Sequence, residues 1–289
     1  MTQPFTDLCG LPRGTTWEPV TDGESGAPVF RSADGTRYAK CAAGPVTADL
    51  AAERDRVDWL SGQGVPAPRV LDWIATGTGA CLVTGAVAGV PADRVPAAAL
   101  RAAWEPIADA VRDLHALPVD ACPFTRDLAA MFATARDVVA RDAVNPDFLP
   151  VDQRDTPPAD LLARLAPQVE RRLVQEAADA VVCHGDLCLP NIVLDPDSLR
   201  VTGFIDLGRL GRADPHADLA LLFATARETW EAPDGRGDER GGAGDEGAGQ
   251  GRGARWIAEA EEAFAARCGR ALDRDRERFY LHLDPLTWG

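Results

Sequence analysis

From Thr15 to Cys41 the chain alternates short apolar or β-branched runs with glycine clusters: TTWEPV, TDGESG, APVFR, SADG and TRYAK. The pattern predicts two strands around a glycine-containing loop, then a hairpin turn at Asp34-Gly35 into a third strand that ends near Lys40. Apolar residues at 50, 51, 57 and 60 among charges predict a helix over Thr47 to Ser61 that stops at Gly62. Two proline-flanked strands are expected at Arg69 to Ala75 and Ala80 to Val87. Beyond AGVPA the texture changes to long helical patterns over Ala97 to Ala116, Phe124 to Ala140 and Asp160 to Ala180. VVCHGD then enters from an apolar strand, NIVLD and VTGFID form a hairpin around PDSLR, and DLALLFATARETW reads as a buried helix. Helical periodicity returns at Ala258 to Arg267 and Asp273 to Leu283, before the tail DPLTWG. A strand-rich first part and a helix-rich remainder predict an α+β fold of two lobes, 1–87 and 88–289, with a ligand cleft between them. Residues 232–255, glycine-rich, charged and lacking large apolar side chains, are expected to be a disordered insertion between helices.

The 289 residues are 46% hydrophobic, enough to fill a large core. No basic segment leads into an apolar run, and the most apolar windows are soon broken by charge, so a soluble cytoplasmic protein without a membrane role is expected. A formal charge of −15 disfavours nucleic acid and anionic lipid as partners and suits a cationic ligand. Seven cysteines, at 9, 41, 81, 122, 183, 188 and 268, follow no repeating spacing, which speaks for a reducing compartment and packing roles.

One compositional detail points to chemistry. Lys40 is the chain's single lysine; the other 29 of its 30 basic residues are arginine. In so arginine-biased a chain, the survivor marks a place suited to a compact ammonium rather than a planar fork. The stretch VVCHGDLCLPN, 181 to 191, could suggest zinc through Cys183, His184, Asp186 and Cys188, but no second ligand pair accompanies it. A serine nucleophile served by His184 or His216 lacks its G-x-S-x-G elbow. The spacing fits phosphoryl transfer instead. Asp186 is followed after five residues by Asn191 and after fifteen more by Asp206 in FIDLG. Such a set offers one carboxylate to orient a hydroxyl, and an amide oxygen with a second carboxylate to hold magnesium on nucleotide phosphates. Protein kinases carry H-R-D-x-x-x-x-N and D-F-G; here stand H-G-D-L-C-L-P-N and D-L-G. Lys40 on the third strand then falls where a kinase anchors phosphates, with Glu53 on the first helix as its partner. The loop Gly23-Glu24-Ser25-Gly26 gains meaning as a phosphate cradle only from its position two strands earlier.

HGDLCLPN, GFIDLGRLGRAD and DLALL resemble the aminoglycoside phosphotransferases, antibiotic kinases with a protein-kinase-like two-lobed fold. More narrowly, GESGAPVFR, ERDRVDWL, ARDVVARDAVNPDFLP and LDPLTWG resemble the 3″-phosphotransferases that modify streptomycin. The resemblance implies ATP and magnesium as cofactors and a small polycationic sugar as the acceptor; a monomer is expected. It implies Asp186 as the catalytic base, Asn191 and Asp206 as magnesium ligands, Lys40 with Glu53 as the phosphate anchor, and Ser25 in the phosphate loop. Backbone groups around Gly85 and Val87 would hold adenine, and Arg209 and Asp284 match positions beside the aminoglycoside. Asp218 is expected to brace the catalytic loop, and His184 to organise it by hydrogen bonding. Because HGD replaces HRD and no A-P-E segment follows, regulation by phosphorylation and protein substrates are not expected. An aspartate with a reference pKa of about 4 is a weak base at neutral pH, so orientation is its main expected contribution. The rival readings are a kinase of another aminoglycoside or of a small hydroxylated cation such as choline, and a non-catalytic pseudokinase that only sequesters ligand.

Overall fold

The computed structural model describes residues 10–12, 14–21, 27–231 and 246–289, with backbone alone at 246–254. In chain order the strands are β1 (Trp17–Val20), β2 (Val29–Ser32), β3 (Arg37–Ala43), β4 (Val70–Ala75), β5 (Gly79–Gly85), β6 (Val90–Pro91), β7 (Val181–Cys183), β8 (Ile192–Leu194), β9 (Val201–Phe204) and β10 (Gly211–Ala213). The α-helices are α1 (Thr47–Ser61), α2 (Ala97–His115), α3 (Leu128–Ala140), α4 (Pro158–Leu165), α5 (Val169–Asp179), α6 (Pro215–Glu231), α7 (Glu246–Arg267) and α8 (Arg274–Leu283). The fold is α+β, and its elements group into two units. The first runs to Val90 and takes in Asn191–Arg209; the second is Pro91–Pro190 with Leu210–Gly289. The expected boundary at 87 therefore lies a few residues early, and the hairpin expected in the second lobe belongs to the first.

In the first unit β1 to β5 form an antiparallel sheet in the order β1-β2-β3-β5-β4. Alternation along β3 and β5 separates two apolar faces. Phe30, Ala39, Cys41, Cys81 and Val83 fill one, and Ala42 and Ala80 with Leu82 pack with Leu50 of α1 on the other. Lys40, an even-numbered position like Ala42, shares the face that α1 covers. Helix α1 has the bounds its apolar spacing predicts and buries Leu50, Val57 and Leu60. Strand β5 ends at Gly85 rather than at 87; the amide of Ala86 still reaches Thr36 O, the next partner in the register with β3, at 2.9 Å. The β8–β9 pair is antiparallel, with Ile192 opposite Phe204.

In the second unit β7 pairs antiparallel with β10, and all three β7 residues are buried. Helix α6 buries Leu219, Ala220, Leu222, Phe223 and Ala226. Trp104 of α2 meets Trp230 and Phe264 at ring-centroid distances of 4.7 and 4.6 Å. A second core joins Leu128, Met131, Leu161, Leu165, Phe279, Tyr280 and Leu283. Three helix expectations are corrected. Helix α3 starts at Leu128 rather than Phe124, since Asp127 caps it through Ala130 N–H and residues before it pair with the β10 segment. The single helix expected over 160–180 is two, broken by a 3-10 turn at Ala166–Gln168 that contains Pro167. Finally, helix α7 begins at Glu246, so the end of the expected disordered insertion is helical: a helix anchored by packing at Ile257 and Phe264 extends backwards at low cost per residue, despite its glycines. Residues 232–245 of that insertion lie outside the described residues. Among the described residues no helix is long and apolar enough to cross a membrane.

Glu176 of α5 caps α3 from a site 6% exposed, its two carboxylate oxygens accepting the Leu128 N–H at 2.9 and 3.1 Å. Burial outweighs this hydrogen bond and pushes its pKa up from 4.5 to about 7. Between those values the folded state holds a proton the unfolded chain has released, so stability falls as pH rises through this window, by up to roughly 3 kcal/mol. A Glu176→Gln variant should therefore be the more stable protein at pH 8, and the difference should vanish below about pH 4.5. Urea unfolding across that range checks it.

Candidate active site

The strand β3 carries Lys40 into a polar spot between α1 and the turn after β9. Its Nζ donates to Glu53 Oε2 at 2.8 Å and to Asp206 Oδ1 at 3.0 Å. Burial alone would lower the lysine's pKa, but the charges of Asp206 and then Glu53 win and hold it well above its ordinary value. Glu53 is pushed up by burial, with Lys40 pulling the other way and Asp206 adding repulsion. The three are an ammonium shared by two carboxylates. Asp206 has φ +57°, a left-handed conformation uncommon outside glycine and met chiefly at Asn and Asp.

The β8–β9 hairpin brings Asn191 to Asp206's neighbourhood. Ile205 N–H donates to Asn191 O at 2.9 Å, so the asparagine lies across from the residue before the aspartate. Both offer oxygen donors, one amide and one carboxylate, a hard set that suits magnesium rather than a thiophilic metal. The residues present therefore fit the ion that the resemblance implies.

In the second unit, β7 delivers His184, Gly185 and Asp186 into a braced turn. Asp218 of α6, wholly buried, accepts His184 N–H on Oδ2 at 2.8 Å and Gly185 N–H on Oδ1 at 2.9 Å. His115 of α2 lies 3.0 Å from the same Oδ2. Burial works against the charge of Asp218, but His115 and the loop's donors outweigh it and hold the carboxyl below the usual range. His184, fully buried, accepts the Asp186 N–H on Nδ1 at 3.2 Å; that makes it an organiser of the turn. Gly185 has φ +82°, which a side chain would resist. The Cys183 thiol is driven far above its ordinary pKa by burial and by the charges of Asp218 and Asp214 and donates towards Asp214 O and Ala213 O. His115, Cys183 and Asp218 form a compact buried group, whose ligand atoms are engaged with one another and with backbone carbonyls.

The remaining expected residues are less gathered. Ser25 lies outside the described residues. Around the expected adenine-holding backbone, Gly85 commits its amide to Arg69 O at 2.9 Å and Ala86 its own to Thr36 O at 2.9 Å. Arg209 closes the 3-10 turn Leu207–Arg209 in the first unit. Asp284, in the second, is engaged by Arg126 at 2.8 Å and by the Trp288 indole at 3.0 Å. The motif reading missed His115 and Arg126, whose partners lie far along the chain and leave no local pattern.

An invariantly charged lysine held by a helix glutamate and a strand-end aspartate, together with a braced H-G-D turn leading to an asparagine, defines a kinase-like phosphotransferase. The chain belongs to the phosphotransferase enzyme family, which matches it over residues 16–282. It is similar to a streptomycin 3″-kinase from Streptomyces griseus, at 63% identity over 276 residues that cover 96% of this chain and 94% of that one. An aminoglycoside 3′-phosphotransferase from Streptomyces fradiae is 44% identical over 71% of this chain and 78% of its own length. Among solved structures, the aminoglycoside phosphotransferase APH(3″)-Id from Streptomyces rimosus superposes with a TM-score of 0.84 at 68% identity, over 94% of this chain and 93% of that one. The same enzyme in complex with ADP and streptomycin gives a TM-score of 0.83 at 67% identity, with the same coverage.

Removing the shared cation should free the carboxylates to repel each other. In a Lys40→Met variant Glu53 should titrate higher than in the parent protein. Carbon NMR of the labelled carboxyl follows this directly; an unchanged Glu53 midpoint would mean that the lysine does not hold it in solution.

Proposed function

We propose that this protein transfers the γ-phosphoryl group of ATP to the 3″-hydroxyl of streptomycin and so inactivates the antibiotic. The observation that carries the chemistry is the Lys40 ammonium held between Glu53 and Asp206. The acceptor is supported by the likeness to the Streptomyces griseus streptomycin 3″-kinase and to the Streptomyces rimosus enzyme solved with ADP and streptomycin.

In this reading each residue has a separate task. Lys40 presents a permanent positive charge to the nucleotide phosphates, and Glu53 keeps that charge from swinging away. Asn191 and Asp206 are the residues that would hold magnesium, which when bound neutralises phosphate oxygens as a Lewis acid. Backbone groups around Gly85 and Val87 hold the adenine ring, and Ser25 belongs to the phosphate loop. Asp186 orients the acceptor hydroxyl: as the oxygen bonds to phosphorus and the bond to the ADP oxygen breaks, the hydroxyl proton passes to Asp186 and then to solvent. The braces on the turn, Asp218 below and His184 beside it, keep that carboxylate in one direction. Arg209 lies near the acceptor by the same resemblance. A net charge of −15 favours the approach of a polycation.

Incubation with ATP, magnesium and streptomycin should yield a singly phosphorylated product with the phosphate on the 3″-hydroxyl, located by mass spectrometry and phosphorus–proton NMR correlation. A phosphate on another hydroxyl would overturn the regiochemistry and leave the kinase. An acceptor panel including other aminoglycosides and choline separates the rival kinases, and no ADP with any acceptor would leave a pseudokinase. Asp186→Ala should lower kcat by about a thousandfold while the Kd for ATP stays within about threefold. Activity within about tenfold of the parent would remove Asp186 from its role.

A further inference from the structure

Arg126 sits just before α3, in a segment that no motif singled out. Its backbone is fixed against β10: Arg126 N–H donates to Arg212 O at 3.0 Å, and Arg212 N–H to Phe124 O at 3.0 Å. Gly211 permits this approach, since a Cβ there would meet the Thr125 carbonyl carbon at 2.9 Å and Arg126 N at 3.0 Å. From this anchored backbone the side chain, 12% exposed, reaches two acceptors. Nε donates to Gly185 O at 3.0 Å and Nη2 to Asp284 Oδ1 at 2.8 Å. The other oxygen of Asp284 accepts the Trp288 indole N–H at 3.0 Å, and the Trp288 ring stands edge-on to Phe148 at 5.9 Å. The C-terminal turn Asp284–Thr287 and its tryptophan are thereby connected, through one guanidinium, to the peptide immediately before Asp186.

We propose that Arg126 and Asp284 are a positioning pair for the catalytic loop. The carbonyl of Gly185 is the one that Asp186's own amide shares in a peptide unit, and that plane sets the direction of the Asp186 side chain. Asp218 holds the turn by the amides of His184 and Gly185; Arg126 holds it by the carbonyl, on the other side. The planar guanidinium makes the two contacts from different nitrogens, Nε and Nη2, in one fixed fork. Asp284 keeps that fork in place, and its charge is compensated within the protein before any cationic acceptor arrives. In this proposal Asp284 acts on the loop through Arg126, in place of the contact beside the aminoglycoside that the resemblance implies. This inference rests on the reading of Asp186 as the residue that receives the hydroxyl proton.

The test is steady-state kinetics with ATP and streptomycin on Arg126→Ala, Asp284→Ala, their double variant, Arg126→Lys and Trp288→Phe, with Asp186→Ala alongside. A carboxylate displaced by an ångström costs about a hundredfold in rate, so kcat should fall roughly 10- to 100-fold in each alanine single variant, with both KM values within about threefold. The double variant should be no slower than the worse single, because both break one linkage. Arg126→Lys should recover part of kcat. Trp288→Phe, which keeps the ring on Phe148 and loses one hydrogen bond, should lose a few-fold, and it carries the test if an alanine variant does not fold. Parent-like kcat in folded Arg126→Ala would overturn the proposal. So would a rise of about tenfold or more in the streptomycin KM with Asp284→Ala and none with Arg126→Ala, the mark of a direct acceptor contact. Transfer that survives Asp186→Ala would defeat the functional reading itself, whatever the Arg126 series shows.

Discussion

The ammonium of Lys40 joins three segments that are distant in sequence: the sheet through β3, the helix α1 through Glu53, and the turn after β9 through Asp206. Each partner alone would be poorly placed, since Glu53 is nearly buried and Asp206 adopts a left-handed backbone. Together they satisfy one another, and the arrangement depends on a compact cation that donates in two directions from a narrow site. That accounts for the one lysine in a chain that uses arginine everywhere else. Ion pairs of this kind specify geometry more than they add stability, because desolvation offsets much of the attraction. Geometry is what a phosphoryl-transfer site needs, given that its catalysis is positioning and charge compensation.

The second fixed point is Asp218, where the same logic is built with amides. A fully buried carboxylate is tolerable only when its oxygens are occupied, and here they take two loop N–H groups and His115. The donors come from consecutive residues, His184 and Gly185, which forces the turn into a conformation with φ +82° at the glycine. The glycine of H-G-D is thus a consequence of the brace. An arginine in its place would have to adopt that strained backbone. The loop has instead recruited Arg126 from another segment to satisfy its carbonyl.

How much of this was legible in the sequence follows from the range of each interaction. Helix α1 could be read from its apolar spacing, because Leu50, Val57 and Leu60 are the side chains it buries. The Lys40, Asp186, Asn191 and Asp206 set could be read because chemistry fixes residue types at short separations, and the lone lysine marked the distant member. The start of α3 could not: the residues just before it are held by β10, on a segment nearly ninety positions away, while their own pattern is helical. Pro167 was visible, yet apolar spacing continues on both sides of it, so the break in the helix was masked by a pattern that each half satisfies separately. Arg126 was invisible for the same reason as His115. A polar side chain whose partner lies 158 residues away looks locally like any solvated charge.

The placement of that arginine bears on how the loop is held in a chain whose H-G-D lacks the arginine of H-R-D. Protein kinases place an arginine within the catalytic-loop motif, where it answers a phosphate on a separate segment, and the loop is in order only when the phosphate is there. In this chain the guanidinium beside the loop finds its anion in Asp284, a carboxylate built into the same unit. A permanent partner leaves no second state for a modification to select, and a two-state element is what regulation by phosphorylation requires. The exchange of a conditional anion for a fixed one turns a switch into a strut, and it does so with a single arginine moved from one segment to another.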